Sequence, residues 1–199
     1  MKLAELEKML GIMLPIRFHE IYETGAMKWL EMRQEQIQQN RDKYIHDEKA
    51  LLMLNCGCEL FLFEEIPHAI ETLKEWIQWQ EEDEEVTLAK EITLIPFGHN
   101  AGGDLYCFLY SPESEEPKVI LYLHDEYGNP EIIGHTFDEF LYVQMLEAVD
   151  DDEDIEGRHF QENINYLNDS YRQLIIGKTS DSLKDDYAEL TIDEAEIWN

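Results

Sequence analysis

The sequence predicts an α+β fold, in which an antiparallel sheet of about four to five strands carries helices packed on one face and an acidic helical extension follows. Three observations predict it. Apolar residues recur at helical spacing over residues 1–10, 15–25, 67–80 and 136–149. Between the last two of these lie short runs rich in aromatic and aliphatic residues at 91–98, 104–110 and 118–124, joined by loops short enough to require antiparallel pairing. At Asp150 the composition changes abruptly to a charge run, DDDEDIEG. Helix, helix, strand, helix, strands, helix is the order of an α+β layer, so residues 1–149 make the core domain and 150–199 the extension.

Taken along the chain, Leu3, Leu6 and Leu10 share one helical face, with Gly11 just past its end. A second helix opens at Pro15, which is tolerated in a first turn because the N–H it lacks would be unpaired there. Phe18, Ile21 and Tyr22 form its apolar face and Gly25 is its stop. Residues 26–50 are polar and Gln-rich, with Trp29, Ile37 and Tyr44 as sparse anchors; they read as a surface helix or an irregular insertion. CELFLFEEI (58–66) is a strand-like run. Pro67 opens a helix whose buried stripe is Ile66, Ala69, Ile70, Leu73, Trp76 and Ile77, and which runs into EEDEE (81–85), a block that has to be solvated.

The three central strands are joined by HNAGG and SPESEEP, both rich in turn residues, and EIIG (131–134) extends the meander. Thr136 and Glu139 form T-x-x-E, a capping box in which each side chain satisfies an otherwise unpaired N–H. The helix behind it buries Phe137, Phe140, Leu141, Met145, Leu146 and Val149. In the extension, Phe160, Ile164, Leu167, Tyr171 and Leu174 predict one amphipathic helix closed by Gly177. The last stretch has Leu183, Tyr187, Leu190, Ile192, Ile197 and Trp198 as anchors, and either folds back on the domain or forms a partner surface.

Composition narrows the function. With 44% hydrophobic and 11% aromatic residues, the 199-residue chain has the material for a core. No run approaches the ~18 to 20 apolar residues of a membrane helix, and MKLAELEKMLGIML interrupts its apolar stretch with Glu5, Glu7 and Lys8, unlike a signal peptide. The expectation is a cytoplasmic protein. Cys56, Cys58 and Cys107 suit that expectation, being an odd count with no disulfide framework and no completing zinc ligands. Fifteen Lys and Arg against 45 Asp and Glu give a formal net charge of −30. Such a surface repels nucleic acid and anionic membranes and either attracts a basic partner over long range or is a solubility adaptation.

No serine sits in a nucleophile elbow, no cysteine has a motif-linked histidine, and no glycine loop is patterned to cradle phosphate. The expectation is therefore a binding protein, without enzymatic activity, cofactor or metal. His124, Asp125 and Glu126 read as a polar turn at a strand end. His99, Asn100 and Asp104 bound a glycine turn, H-N-A-G-G-D, which reads as a hairpin connection in which Asp104 bonds the turn backbone. Loops on rigid sheets also carry binding, so the same residues are partner-contact candidates. Trp79 lies at the edge of its helical stripe beside Glu81, Glu82, Asp83, Glu84 and Glu85, where it either stacks on a partner arginine or packs under the insertion.

LPIRFHEIYETG (14–25) resembles the opening motif of the SUKH superfamily. IPFGHNAGGDLYCFLY (95–110) is similar to that family's central signature, and KVILYLHDEYG with HTFDEFLYVQML resembles its closing strand, acidic turn and helix. The resemblance spans roughly residues 1–149 and implies an α+β domain of the kind found in bacterial immunity proteins, which neutralise polymorphic toxins. It implies direct binding of a cognate toxin domain, with an intracellular regulator of cell-wall assembly as the alternative. Partner-contact candidates are then Trp79, Glu81, Glu82, Asp83, Glu84, Glu85, His99, Asn100, Asp104, Asp125 and Glu126. The sequence leaves oligomeric state open.

Overall fold

The structure, a computed structural model, describes residues 1–33, 35–36, 57–125 and 128–199. Strands β1 (Glu59–Leu60), β2 (Thr93–His99), β3 (Leu105–Tyr110), β4 (Lys118–Tyr122), β5 (Glu131–Gly134) and β6 (Asp193–Glu194) form one open sheet in sequence order. Every neighbouring pair is antiparallel. The α+β class follows, with β6 added to the strands expected. Most of the sequence between Trp29 and Gly57, including Ile37, Tyr44 and Cys56, lies outside the described residues, as does Glu126.

Both faces of the sheet are covered, which is why LYCFLY reads as an unbroken apolar run rather than an alternation. Tyr106 and Phe108 of β3 enter one cluster while Leu105, Cys107 and Leu109 enter a second on the opposite face. The first cluster holds seven buried phenylalanines, and Phe18, Phe97, Phe108, Phe137 and Phe140 among them form one ring-contact group. Phe97 stacks on Phe108 with ring centroids 4.2 Å apart, and Phe140 stands edge-on to Phe97 at 5.4 Å. Phe18 closes the group at 5.5 Å from Phe137. Each such pair adds about 0.5–1.5 kcal/mol to plain area burial.

Among the described residues there are seven α-helices, and six of them pack only with this first cluster. Helices α1 (Leu3–Leu10) and α2 (Ile16–Glu23) contribute Leu3, Leu6, Phe18 and Ile21. Helix α4 (Phe137–Asp150) buries Phe137, Phe140, Leu141, Met145, Leu146 and Val149, the set its periodicity predicts. Its Thr136 side chain accepts a hydrogen bond from the Glu139 N–H at 3.2 Å, while the Glu139 carboxylate reaches one residue further back, to the His135 N–H at 2.6 Å. At Gly134, just before this cap, an added Cβ would lie 2.6 Å from the Phe140 nitrogen, so strand and helix touch backbone to backbone.

Helix α3 (Ile66–Glu84) is the exception to the one-face arrangement. It carries Pro67 in its first turn as expected, and Ile66 and Ile70 stay with the first cluster, but Leu73, Trp76 and Ile77 further along pack over the second face. A hydrophobic stripe marks the buried side of a helix and is silent about which face of a sheet receives it.

The helix expected over 160–174 is two: α5 (Arg158–Ile164) and α6 (Asp169–Ile175). Asn168 caps α6 by accepting from the Tyr171 N–H at 3.0 Å. The carbonyls freed at the break are collected by arginines. Arg172 donates to the carbonyls of Leu167 at 2.9 Å, Asn165 at 3.2 Å and Ile164 at 3.3 Å, and Arg17 donates to that of Tyr166 at 2.6 Å. The turn leaves Leu174, expected on the apolar stripe, 45% exposed. Phe160, Ile164, Leu167 and Ile175, with Leu183 of α7 (Ser180–Ala188), nevertheless join the first cluster.

Residues 193–199 then cross to the second face. β6 pairs with β5, Ala195 donates its N–H to the Pro130 carbonyl at 2.8 Å, and Thr87 and Asn199 exchange backbone hydrogen bonds. Ala195 and Ile197 are buried there among Leu94, Ile120 and Ile132.

Candidate partner-binding surface

The loop between β2 and β3 is built from its own polar side chains. The Asn100 side-chain oxygen accepts from the Asp104 N–H at 2.9 Å, and its amide donates to Asp104 Oδ2 at 2.8 Å. Gly103 adopts a φ of 96°, which L side chains rarely take, and donates to the Asn100 carbonyl at 3.1 Å. Asn100 rather than Asp104 therefore bonds the turn backbone. The second Asp104 oxygen reaches across to the end of β4, where it accepts from the His124 N–H at 3.2 Å and lies 2.8 Å from His124 Nδ1.

Burial of Asp104 works to raise its carboxyl, but the hydrogen bonds from Asn100 and His124 outweigh it and hold the group below its ordinary value. Asp104, His124 and Asp125 each present a ligand atom, all within 4.8 Å of one another. Two carboxylates and an imidazole are donors that a divalent cation accepts.

His124 is backed by Trp76, whose ring centroid is 5.4 Å away, and Trp76 stacks in turn on Tyr122 at 6.4 Å. Below them Gln80, 5% exposed, accepts from the Tyr122 hydroxyl at 2.9 Å and donates to the Gly128 carbonyl at 3.0 Å. The Trp198 indole donates to the same carbonyl at 2.8 Å. Helix α3, the β4–β5 hairpin and the returning segment are thus pinned at one oxygen. Trp76, Trp79, Gln80, Tyr122, Leu123, His124 and Asp125 line a cleft of about 70 Å³, with Trp79 58% exposed at its mouth.

Several candidate residues therefore meet. Trp79 and Asp125 share the cleft, Asp104 joins it through His124, and Asn100 fixes Asp104. His99 belongs elsewhere: its ring lies against Phe61 at 5.2 Å and its Nε2 is 4.0 Å from Glu59 of β1. The acidic block divides. Glu81 is half-buried and spent on the Leu88 N–H at 2.9 Å, while Glu82, which accepts from Gln78 at 2.9 Å, and Asp83, Glu84 and Glu85 are exposed. The register links Asp104 to His124, because β3 pairs Leu105 with Tyr122. Folding the two strands symmetrically about the SPESEEP loop is the signal that could have found the pair. Trp76, read from its stripe as core, turns out to be a wall of the cleft.

The described thiols offer no nucleophile. Cys58 and Cys107 are buried without a disulfide, and burial pushes both up, Cys58 well above its ordinary value. No helix among the described residues is long and apolar enough to cross a membrane.

The model of the SMI1 / KNR4 family (SUKH-1) matches residues 2–142, more than two thirds of the chain. The chain belongs to this family. No curated protein and no solved structure matches it at a significant level. The matched span holds the five phenylalanines in mutual ring contact and strands β1 to β5, and it ends inside α4. The motifs that carry the resemblance are scaffold: Leu14, Phe18, Phe97 and Phe137 are buried. What they support, in this SUKH-1 chain, is the polar loop and the aromatic cleft at one end of the sheet.

Proposed function

We propose that this chain is an immunity protein that neutralises a cognate toxin by binding a basic face of it directly. Membership of the SUKH-1 family is compatible with a toxin-immunity role and with a role like that of the SMI1/KNR4 proteins. The observation that favours the first is how the charge is spread. Residues 1–149 hold 30 Asp and Glu against 11 Lys and Arg, and residues 150–199 hold 15 against 4, net −19 and −11. Charge that pervades the domain suits a cationic surface better than a lone acidic tail would.

Toxins that act as nucleases need cationic surfaces to hold phosphates. An acidic protein occupies such a surface in competition with the substrate, and the long-range field speeds encounter at low salt. The contact surface we favour is the end of the sheet carrying Trp79, Asn100, Asp104 and Asp125 together with exposed Asp83, Glu84 and Glu85.

Co-expression of the chain with the toxin encoded beside it tests the reading. Survival of the cells is expected, with a complex whose association slows steeply as ionic strength rises. Death of the cells together with no complex at low salt refutes it.

A further inference from the structure

We infer that the Trp76–Trp79 cleft is a seat for one arginine side chain of the partner, and that this side chain anchors the complex. The immunity reading supplies only the partner's identity; the preference of the cleft for a guanidinium group is independent of it. Size decides first. Small-molecule pockets run to about 300–1,000 Å³, so 70 Å³ is too small for a metabolite. It is several times the ~10–15 Å³ that one ordered water occupies, which leaves room for one side-chain head.

The walls decide the chemistry. An exposed indole with a second indole one turn before it offers flat π surface, on which guanidinium stacks better than ammonium does. Asp125 stands at the cleft, while Glu75 and Asp83, four residues before and after Trp79, share its helical face and are exposed. Cation-attracting carboxylates thus surround an aromatic slot whose floor is already rigid, because Gln80 locks Tyr122 and the hairpin before any partner arrives. Preorganisation of this kind lowers the ordering cost of binding.

A divalent cation on Asp104, His124 and Asp125 is the competing occupant. Both Asp104 oxygens are already engaged, Oδ1 by the His124 N–H and Nδ1 and Oδ2 by the Asn100 amide, so a cation would have to compete with one of these contacts. An arginine leaves those contacts intact and takes the stacking surface that a metal ion has no use for.

The experiment uses the full chain labelled with ¹⁵N, titrated at fixed ionic strength with Nα-acetyl-arginine amide and with its lysine and citrulline counterparts. Expected are saturable shifts of the Trp76 and Trp79 indole N–H signals and of the His124 amide, strongest with arginine and faint with uncharged citrulline. Trp79→Ala and Asp125→Asn, both at exposed positions, should each weaken the arginine effect about five- to tenfold. Three results overturn the inference: equal shifts with citrulline, shifts spread evenly over the acidic 150–156 run, or micromolar Zn²⁺ that displaces arginine and is lost in Asp104→Asn. Co-expression separates the two readings. If Trp79→Ala protects cells as well as the parent does, the anchor is refuted and immunity stands. If the parent fails to protect while arginine titrates the cleft, the cleft stands and the partner is of another kind.

Discussion

Gln80 is the residue on which the geometry of the cleft depends, and replacing it by leucine keeps its volume while removing both of its hydrogen bonds. The bonds to the Tyr122 hydroxyl and the Gly128 carbonyl are each worth about 1 kcal/mol net. Gly128 keeps a donor in the Trp198 indole, but Tyr122, 3% exposed, is left with a desolvated hydroxyl at a further cost of about 1–3 kcal/mol. Gln80→Leu should therefore lose about 3–5 kcal/mol, and Tyr122→Phe, which strands only the amide oxygen, about 1–2 kcal/mol. The double variant has no orphan at this contact. It should be no less stable than Gln80→Leu alone, which makes the interaction energy about −1 to −2 kcal/mol when destabilisation is counted as positive. Urea unfolding followed by tryptophan fluorescence, extrapolated linearly to water, measures all four corners of the cycle. Additive losses would refute the claim that these two groups satisfy one another.

Gly134→Ala forces a methyl onto the Phe140 and Thr136 backbone at 2.6 and 2.9 Å and should cost about 3 kcal/mol, read as a lowered thermal midpoint; an unchanged midpoint counts against the contact. Ile197→Ala, at a fully buried position, should cost about 3 kcal/mol in urea unfolding, whereas a loss under 1 kcal/mol would mean the returning segment is loosely held. The Asp104 carboxyl is held below its ordinary value, so its stabilising contribution is fully present above the unfolded value and disappears as pH falls through the folded one. Asp104→Asn should accordingly be less stable than the parent between pH 5 and 7, with the gap closing below about pH 4; a gap independent of pH would show that the carboxylate charge has no part in it.

Local signals were readable where neighbours in sequence settle the matter. Phe18, Phe137 and Phe140 sit in segments whose helical period announces the element, Phe97 and Phe108 sit in short apolar runs bounded by turn residues, and the meander follows from short loops. What stayed hidden depends on distant partners. The apolar spacing of Phe160, Ile164, Leu167, Tyr171 and Leu174 runs straight through the break, whose local mark is the capping Asn168 and whose distant support is Arg17 on the Tyr166 carbonyl. The side of the sheet taken by α3 was equally hidden, because Leu73 and Trp76 are buried whichever face receives them. Trp79 was legible as the edge of a stripe. Its cleft was not, because the far wall comes from His124 and Asp125, some 45 residues away.

Residues 193–199 leave the ribosome well after Gly134, yet Ala195 and Ile197 close the second face of a sheet whose first five strands end at that glycine. At about 5–20 residues per second, the stretch from Val149 to Ile197 takes roughly 2 to 10 s to synthesise. Throughout that interval the second face has α3 but lacks Ala195 and Ile197, and the outer edge of β5 has no neighbouring strand. A nascent chain in this state is vulnerable to pairing with another copy of itself. Slow translation after Val149 should lengthen that exposure, and holdase chaperones that bind extended apolar segments should shorten it.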